Sequence, residues 1–167
     1  RRKMGDGYKA AETAPTQVNG PLEPLELMKG VDLELVEDLD VEEICQLVEL
    51  EGGVVALDAE WKPFQTGETP TPVELLQLAV PSRCWLLDLQ KLKADEVAKL
   101  LRRLCNEFLL LGFGLVGDLL RLRACCGHME PRASIDLQED MGSSGGLSEL
   151  IAQHLGKELL KDQQCSD

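Results

Sequence analysis

The sequence predicts an α/β sandwich built on a mixed sheet, and three observations predict it. Short apolar runs of strand length alternate with apolar stripes of helical period, the pattern of helices packed on a sheet. Two further apolar runs, Val73 to Val80 and Cys84 to Leu89, are joined only by Pro81-Ser82-Arg83. That short link reads as a β-hairpin and places an antiparallel pair inside the sheet. At 167 residues, 44% of them apolar, the chain is long enough to bury one substantial core.

The elements follow in order. Residues 1 to about 30 carry Gly, Pro, Thr and Ala with little apolar periodicity, which reads as a flexible tail or linker before a domain over 31–167. Val31 to Val36 alternates apolar and acidic residues, suiting an edge strand with Leu33 and Leu35 turned inward. Asp40 is placed to cap a helix, with Glu43 as its capping-box partner. Val41, Ile44, Cys45 and Val48 give that helix its apolar stripe, and Gly52-Gly53 ends it. Val54 to Leu57 is an uninterrupted apolar run with β-branched residues, read as a strand buried on both faces through residue 60. Lys62 to Pro72 is a Pro- and Gly-containing loop leading to the hairpin. Val97, Leu100, Leu101, Leu104 and Phe108 form the core stripe of the next helix, whose other face carries Lys99, Arg102 and Arg103. Phe108 to Leu111 reads as a second buried strand closed by Gly112-Phe113-Gly114, and a helix starts near Val116. Ser134 to Leu137 is a further short strand, and Leu147, Leu150, Ile151 and Leu155 mark a last amphipathic helix.

The formal net charge of −13 argues against a free-standing, electrostatically driven nucleic-acid binder. The charge is uneven. Leu22 to Glu60 holds 13 acids and one Lys, whereas Arg83 to Arg132 holds nine Lys or Arg against six acids, so the later half suits a polyanion better. The six cysteines form no Cys-x-x-Cys and several sit in apolar helical stripes, which points to a reducing, intracellular setting, nuclear or cytoplasmic. No apolar run is long enough to span a bilayer, so no membrane contact is expected.

Asp58 and Glu60 are two apart on a strand and therefore share a face at its end. Adjacent like charges repel and are costly to desolvate unless a cation lies between them. Either a divalent ion sits there or the strand has reached water. Asp118 follows a strand, a Gly-rich turn and a helix start. From there it can look back across neighbouring strand ends, or serve as an ordinary first-turn acid.

Val54-Val55-Ala56-Leu57-Asp58-Ala59-Glu60-Trp61, then Leu75-Leu76-Gln77-Leu78-Ala79, then Leu110-Leu111-Gly112-Phe113-Gly114-Leu115-Val116-Gly117-Asp118-Leu119 resemble the successive motifs of the DEDD 3′–5′ exonucleases. That superfamily includes RNase D, the Werner-type exonuclease domain and the polymerase proofreading domain. The stretch from Leu147 to Lys161, with Gln163-Gln164-Cys165-Ser166, is most similar to the mutator-seven-type homologues. The resemblance implies an RNase H-like fold with a mixed central sheet, and hydrolysis of nucleic-acid phosphodiesters from RNA or DNA 3′ ends. It implies that Asp58, Glu60 and Asp118 hold two divalent ions, Mg²⁺ or Mn²⁺, with Asp58 bridging both. Gly114 stands where many members carry Asn. The third motif, Tyr (or His)-x-x-x-Asp, has no match: the single Tyr is Tyr8, and Asp136, Asp162 and Asp167 have neither residue four positions earlier. The chain is therefore expected to be C-terminally truncated before that motif, and inactive or nearly so alone.

Trp61 can either stack on a terminal base or close the core beneath the site. Arg102, Arg103, Arg121 and Arg123 read singly as a solvated face, and Cys125-Cys126-x-His128 as reduced thiols beside an ordinary His rather than a zinc site. The competing functional reading is a non-catalytic member that binds nucleic acid, or a basic protein partner through the acidic face 34–51.

Overall fold

The computed structural model describes residues 21–26, 28–63, 71–141 and 146–160. The expected tail up to residue 20, most of the 62–72 loop and the turn at Ser143–Gly145 lie outside them. In chain order the elements are β1 (Glu23–Pro24), β2 (Asp32–Val36), α1 (Val41–Leu50), β3 (Val54–Trp61), β4 (Val73–Val80), β5 (Arg83–Asp88), α2 (Ala94–Glu107), β6 (Leu109–Gly112), α3 (Leu115–Cys126), β7 (Ala133–Asp136), α4 (Leu137–Asp140), α5 (Leu147–Leu155) and β8 (Lys157–Glu158). Two compact units contain them, one of residues 26–144 and one of residues 1–25 with 145–167.

The 26–144 unit is organised by a six-stranded mixed sheet in the order β2-β5-β4-β3-β6-β7. The hairpin β4–β5 and the pair β3–β4 are antiparallel, while β2–β5, β3–β6 and β6–β7 are parallel. Each parallel return crosses through a helix, and right-handed crossovers that all step the same way along a sheet stack their helices on one face. Val36, Leu87, Leu76 and Ala59 form one row of that face across four strands; Trp85, Leu78 and Leu57 form the next. These residues, with Val55, Val80 and Leu110, belong to one buried cluster with Val41, Ile44, Cys45 and Val48 of α1, Val97, Leu100, Leu101 and Leu104 of α2, and Leu115, Leu119 and Leu122 of α3. The α1 stripe is the one its spacing predicts, and the Asp40 carboxylate caps the helix by accepting from the Glu42 and Glu43 N–H groups at 2.9 and 3.0 Å. Glu43 does not reach back as a capping box; it pairs with Arg83.

The opposite face differs from the sequence reading. β3 is buried on one side only: Val55, Leu57 and Ala59 are enclosed, whereas Val54, Asp58 and Glu60 are exposed. Leu33 and Leu35, expected inward, are 60% and 55% exposed. The reason is the crossover rule. All three long helices lie over the Val36 side of β2, and Leu33 and Leu35 point to the side they do not cover.

In the second unit, β1 and β8 pair in parallel, the Leu25 N–H donates to the Glu158 carbonyl at 2.7 Å, and Lys157 meets Glu23 at 2.6 Å. α5 ends at Gly156, whose φ of 62° is a left-handed cap. Only Leu150 of its expected stripe is fully buried, and Leu155 is exposed.

Candidate active site

Asp58 and Glu60 sit on the uncovered face near the C-terminal end of β3, on the same side of the strand. Their register neighbours on β4 are Gln77 and Leu75. The Gln77 amide donates to Asp58 Oδ2 at 3.4 Å, so one oxygen of this carboxylate has a neutral partner and no cation. The β3–β4 register shifts between Glu60 and Trp61. Such a bulge turns the strand locally and re-aims the side chains beside it.

Two glycines bring Asp118 to the same place. Gly112 ends β6, and a Cβ there would lie 2.9 Å from Leu115 Cδ1 and 3.2 Å from the Leu57 carbonyl. Its absence lets the start of α3 settle against the β3 backbone one residue before Asp58. Gly114 then caps α3 with φ 72°, a left-handed conformation that any side chain other than Asn or Asp would resist. Asp118, in the first turn of α3, is 6% exposed, and its Oδ2 is buried without a hydrogen-bond partner.

Asp58 and Glu60 lie near enough to Asp118 for their charges to act on it. Burial pushes Asp118 up to about 7, and the charges of Asp58, Glu60 and Asp136 add to the shift. Although their surfaces reach solvent, partial desolvation by neighbouring atoms raises Asp58, and Glu60 is raised by the same desolvation and by the Asp58 charge. The Asp58 charge opposes ionisation of both Glu60 and Asp118, Glu60 adds to the effect on Asp118, and one buried oxygen of Asp118 has no hydrogen-bond partner among the described residues. Hard oxygen donors of this kind suit Mg²⁺ or Mn²⁺. Among the described residues, however, no group of three or more His, Cys, Asp or Glu is close enough to hold an ion by itself. The three acids lie within electrostatic reach of one another but, as they stand, not close enough together to hold an ion between them.

Trp61 packs partly into the core and also lies beneath the Arg121 guanidinium, 4.8 Å from its ring centroid. Arg121, one turn after Asp118, also donates to the Thr71 carbonyl at 3.3 Å. Trp61 thus touches the core with one part of its side chain and Arg121 with its ring face. Cys126 is pushed up to about 12, chiefly by burial, and Cys125 is exposed.

Sequence reasoning missed Asp136 as a site residue, setting it aside because the third motif does not surround it. Asp136 ends β7; its Oδ1 accepts from the Gly114 N–H at 2.9 Å and the Gln138 N–H at 3.0 Å. A strand ending in Asp just before Leu137-Gln138-Glu139 is an N-cap pattern, and that signal was available.

Residues 35–167 match the model of the 3′–5′ exonuclease family. The human exonuclease mut-7 homolog is 32% identical over 148 residues, 68% of this chain, which spans 16% of that relative's length. The Nibbler EXO domain of Aedes aegypti superposes with a TM-score of 0.68 at 23% identity, covering 86% of this chain and 77% of that one. Escherichia coli RNase D, an exoribonuclease involved in structured RNA processing, gives 0.67 at 20% identity over 82% of this chain and 37% of its own.

Proposed function

The chain belongs to the 3′–5′ exonuclease family, of the DEDD type, and from that premise we propose that it serves hydrolysis of phosphodiesters at nucleic-acid 3′ ends, with Asp58, Glu60 and Asp118 as its metal-holding residues. The single observation that carries this reading is the buried, unpartnered Oδ2 of Asp118 beside the charges of Asp58 and Glu60. An acid with no ligand to hold would either face water or find a donor. When bound, Mg²⁺ or Mn²⁺ supplies charge neutralisation at the scissile phosphate and activates water. The residues of this chain do the rest. Asp58 and Glu60 would present oxygens from β3, and Asp118 another from the start of α3. Trp61 and Arg121 wall the site where a terminal nucleotide would lie. RNA is the first substrate to try, because the RNase D neighbour is an exoribonuclease.

The test is a 5′-labelled single-stranded RNA incubated with Mn²⁺ and either residues 1–167 or the whole protein. The whole protein is expected to shorten the RNA from its 3′ end, with a loss of about 100-fold or more on Asp58→Ala, because Asp58 would be one of the residues that hold the ion. Little activity is expected from residues 1–167 alone, since they hold three of the four expected acids and no Tyr or His to orient the water. Full, Asp58-dependent activity from this chain would overturn that part of the reading.

The absence of a ready-made cage among the described residues favours a second reading, a non-catalytic domain that binds nucleic acid or a basic protein partner. Its acidic surface over 34–51 is partly neutralised from within, Arg83 bridging Glu34 and Glu43 and Arg103 holding Glu42, which leaves Glu37, Asp38 and Glu49 to a partner. RNA binding with no Mn²⁺-dependent cleavage by the whole protein would select it.

A further inference from the structure

We infer that Asp136 is a positioning residue for Asp118, acting as a clasp that fixes the start of α3 against β7; this rests on the reading of Asp118 as a metal ligand. The mechanical problem is visible in the helix itself. α3 begins at Gly114, which has no side chain to cap it, and no side-chain cap bond forms there. The left-handed turn at Gly114 is open to other arrangements, because glycine occupies several backbone regions at little cost. Asp118 lies one turn further on, so slack at Gly114 becomes displacement at the carboxylate.

Asp136 removes that slack. Leu111 and Gly112 of β6 pair with Ile135 and Asp136 of β7, which sets the Asp136 carboxylate beside the turn that leaves β6. Its Oδ1 accepts from the Gly114 N–H at 2.9 Å and from the Gln138 N–H at 3.0 Å. Its own N–H donates to Asp140 Oδ2 at 3.1 Å, so the clasp is held from behind by α4. One oxygen thus ties three successive pieces together: the turn after β6, the end of β7 and the start of α4. The space over Gly114 leads to the same conclusion, for a Cβ there would meet Gln138 Oε1 at 3.5 Å, an ordinary contact. The turn is held by its hydrogen bond and not by crowding. Outer residues that orient metal ligands usually cost 10–100-fold in metal affinity when removed.

Two variants separate the clasp from the other things an acid could do here. Asp136→Ala removes the acceptor. Asp136→Asn keeps an oxygen at the same place and removes the charge. The first readout needs no metal: amide and carboxyl resonances of Gly114 and Asp118 in the full chain by NMR. The second is Mn²⁺ binding followed by EPR, with Asp118→Asn as reference. In Asp136→Ala the Gly114 amide should lose its hydrogen-bonded shift, the Asp118 resonances should move, and Mn²⁺ affinity should fall about tenfold or more. Asp136→Asn should stay within about threefold of the parent and keep the Gly114 shift.

Unchanged Asp118 resonances and Mn²⁺ affinity in Asp136→Ala would overturn the inference, as would equal losses in both variants with the Gly114 bond intact, since charge and not position would then be at work. If the parent chain shows no Asp118-dependent Mn²⁺ binding, it is the functional reading that fails. The clasp is then judged on the resonances alone: movement at Asp118 in the alanine but not the asparagine variant upholds it, and no movement removes it.

Discussion

The two faces of the six-stranded sheet are made from alternate residues of the same strands, yet they have opposite characters. On one face Leu57, Leu76, Leu78, Trp85, Leu87 and Leu110 are almost wholly enclosed beneath α1, α2 and α3. On the other, the rows read Leu33, Cys84, Ala79, Ala56, Leu111, Ile135 and Leu35, Leu86, Gln77, Asp58, and none of these residues is fully buried. The covered face holds the fold together. The open face carries Asp58 and Glu60, the carboxylates proposed to hold metal, which water can reach there, whereas a buried pair of like charges would be costly to desolvate. Asp118 is the point where the two meet, buried on a helix of the covered face yet within electrostatic reach of the acids of the open one.

The largest effect that would test this division is a matched pair of truncations. Leu78→Ala, at a site with no exposure and contacts to Leu57 and Trp85 across both ladders, should cost about 2–5 kcal/mol. Leu35→Ala on the open face should change stability by no more than about 0.5 kcal/mol. Urea unfolding of both variants measures this, and comparable losses would mean that the open face is covered after all.

Next in size is the effect of charge at the meeting point. Asp118 has its folded pKa raised from 3.8 to about 7. A raised acid holds its proton more tightly in the folded state, so its stabilising contribution is complete below 3.8 and disappears as pH climbs to about 7. The wild-type chain should therefore lose stability across that window, and Asp118→Asn should not. At pH 8 the variant is expected to be the more stable by about 2–4 kcal/mol, the upper end corresponding to the whole shift at about 1.4 kcal/mol per unit. Near pH 4 the difference should be small. Thermal unfolding at the two pH values decides it, and a variant less stable than the parent at pH 8 would show that Asp118 has a partner in the fold.

Much of this was legible in the chain. The α1 stripe, its Asp40 cap, the β4–β5 hairpin and the short strand before Gly112 rest on local patterns of period and turn chemistry, which the chain carries residue by residue. The side-sharing of Asp58 and Glu60 follows from strand geometry alone. What local pattern could not decide was which face of β2 and β3 the helices would cover. Leu33 and Leu35 read as inward because they are the apolar residues of their strand, but the handedness of the crossovers placed α1 over Val36 instead. The Asp136 bond to Gly114 was equally out of reach, because it joins residues 22 apart through a sheet register that no spacing rule supplies.

The smallest expected effect on stability is also the one that says most about the open face. Leu33 and Leu35 lie on β2, the edge strand of the sheet, and stay more than half exposed, with Leu86 of β5 beside Leu35 in register. An exposed edge strand with bare leucines is a template for pairing with another copy, and natural proteins blunt such edges with charge. Asp32 and Glu34 already do so, but they project to the opposite side, where Arg83 holds Glu34. Replacing both leucines, Leu33→Lys and Leu35→Lys, should leave unfolding within about 0.5 kcal/mol of the parent, because neither side chain loses packing. The same pair should shift the chain toward monomer in sedimentation velocity at tens of micromolar, if the bare leucines drive self-association. A parent that is already a clean monomer would show that this row of the open face is tolerated as it stands, and a doubly substituted chain that unfolds much more easily would show that Leu33 and Leu35 pack against something within it.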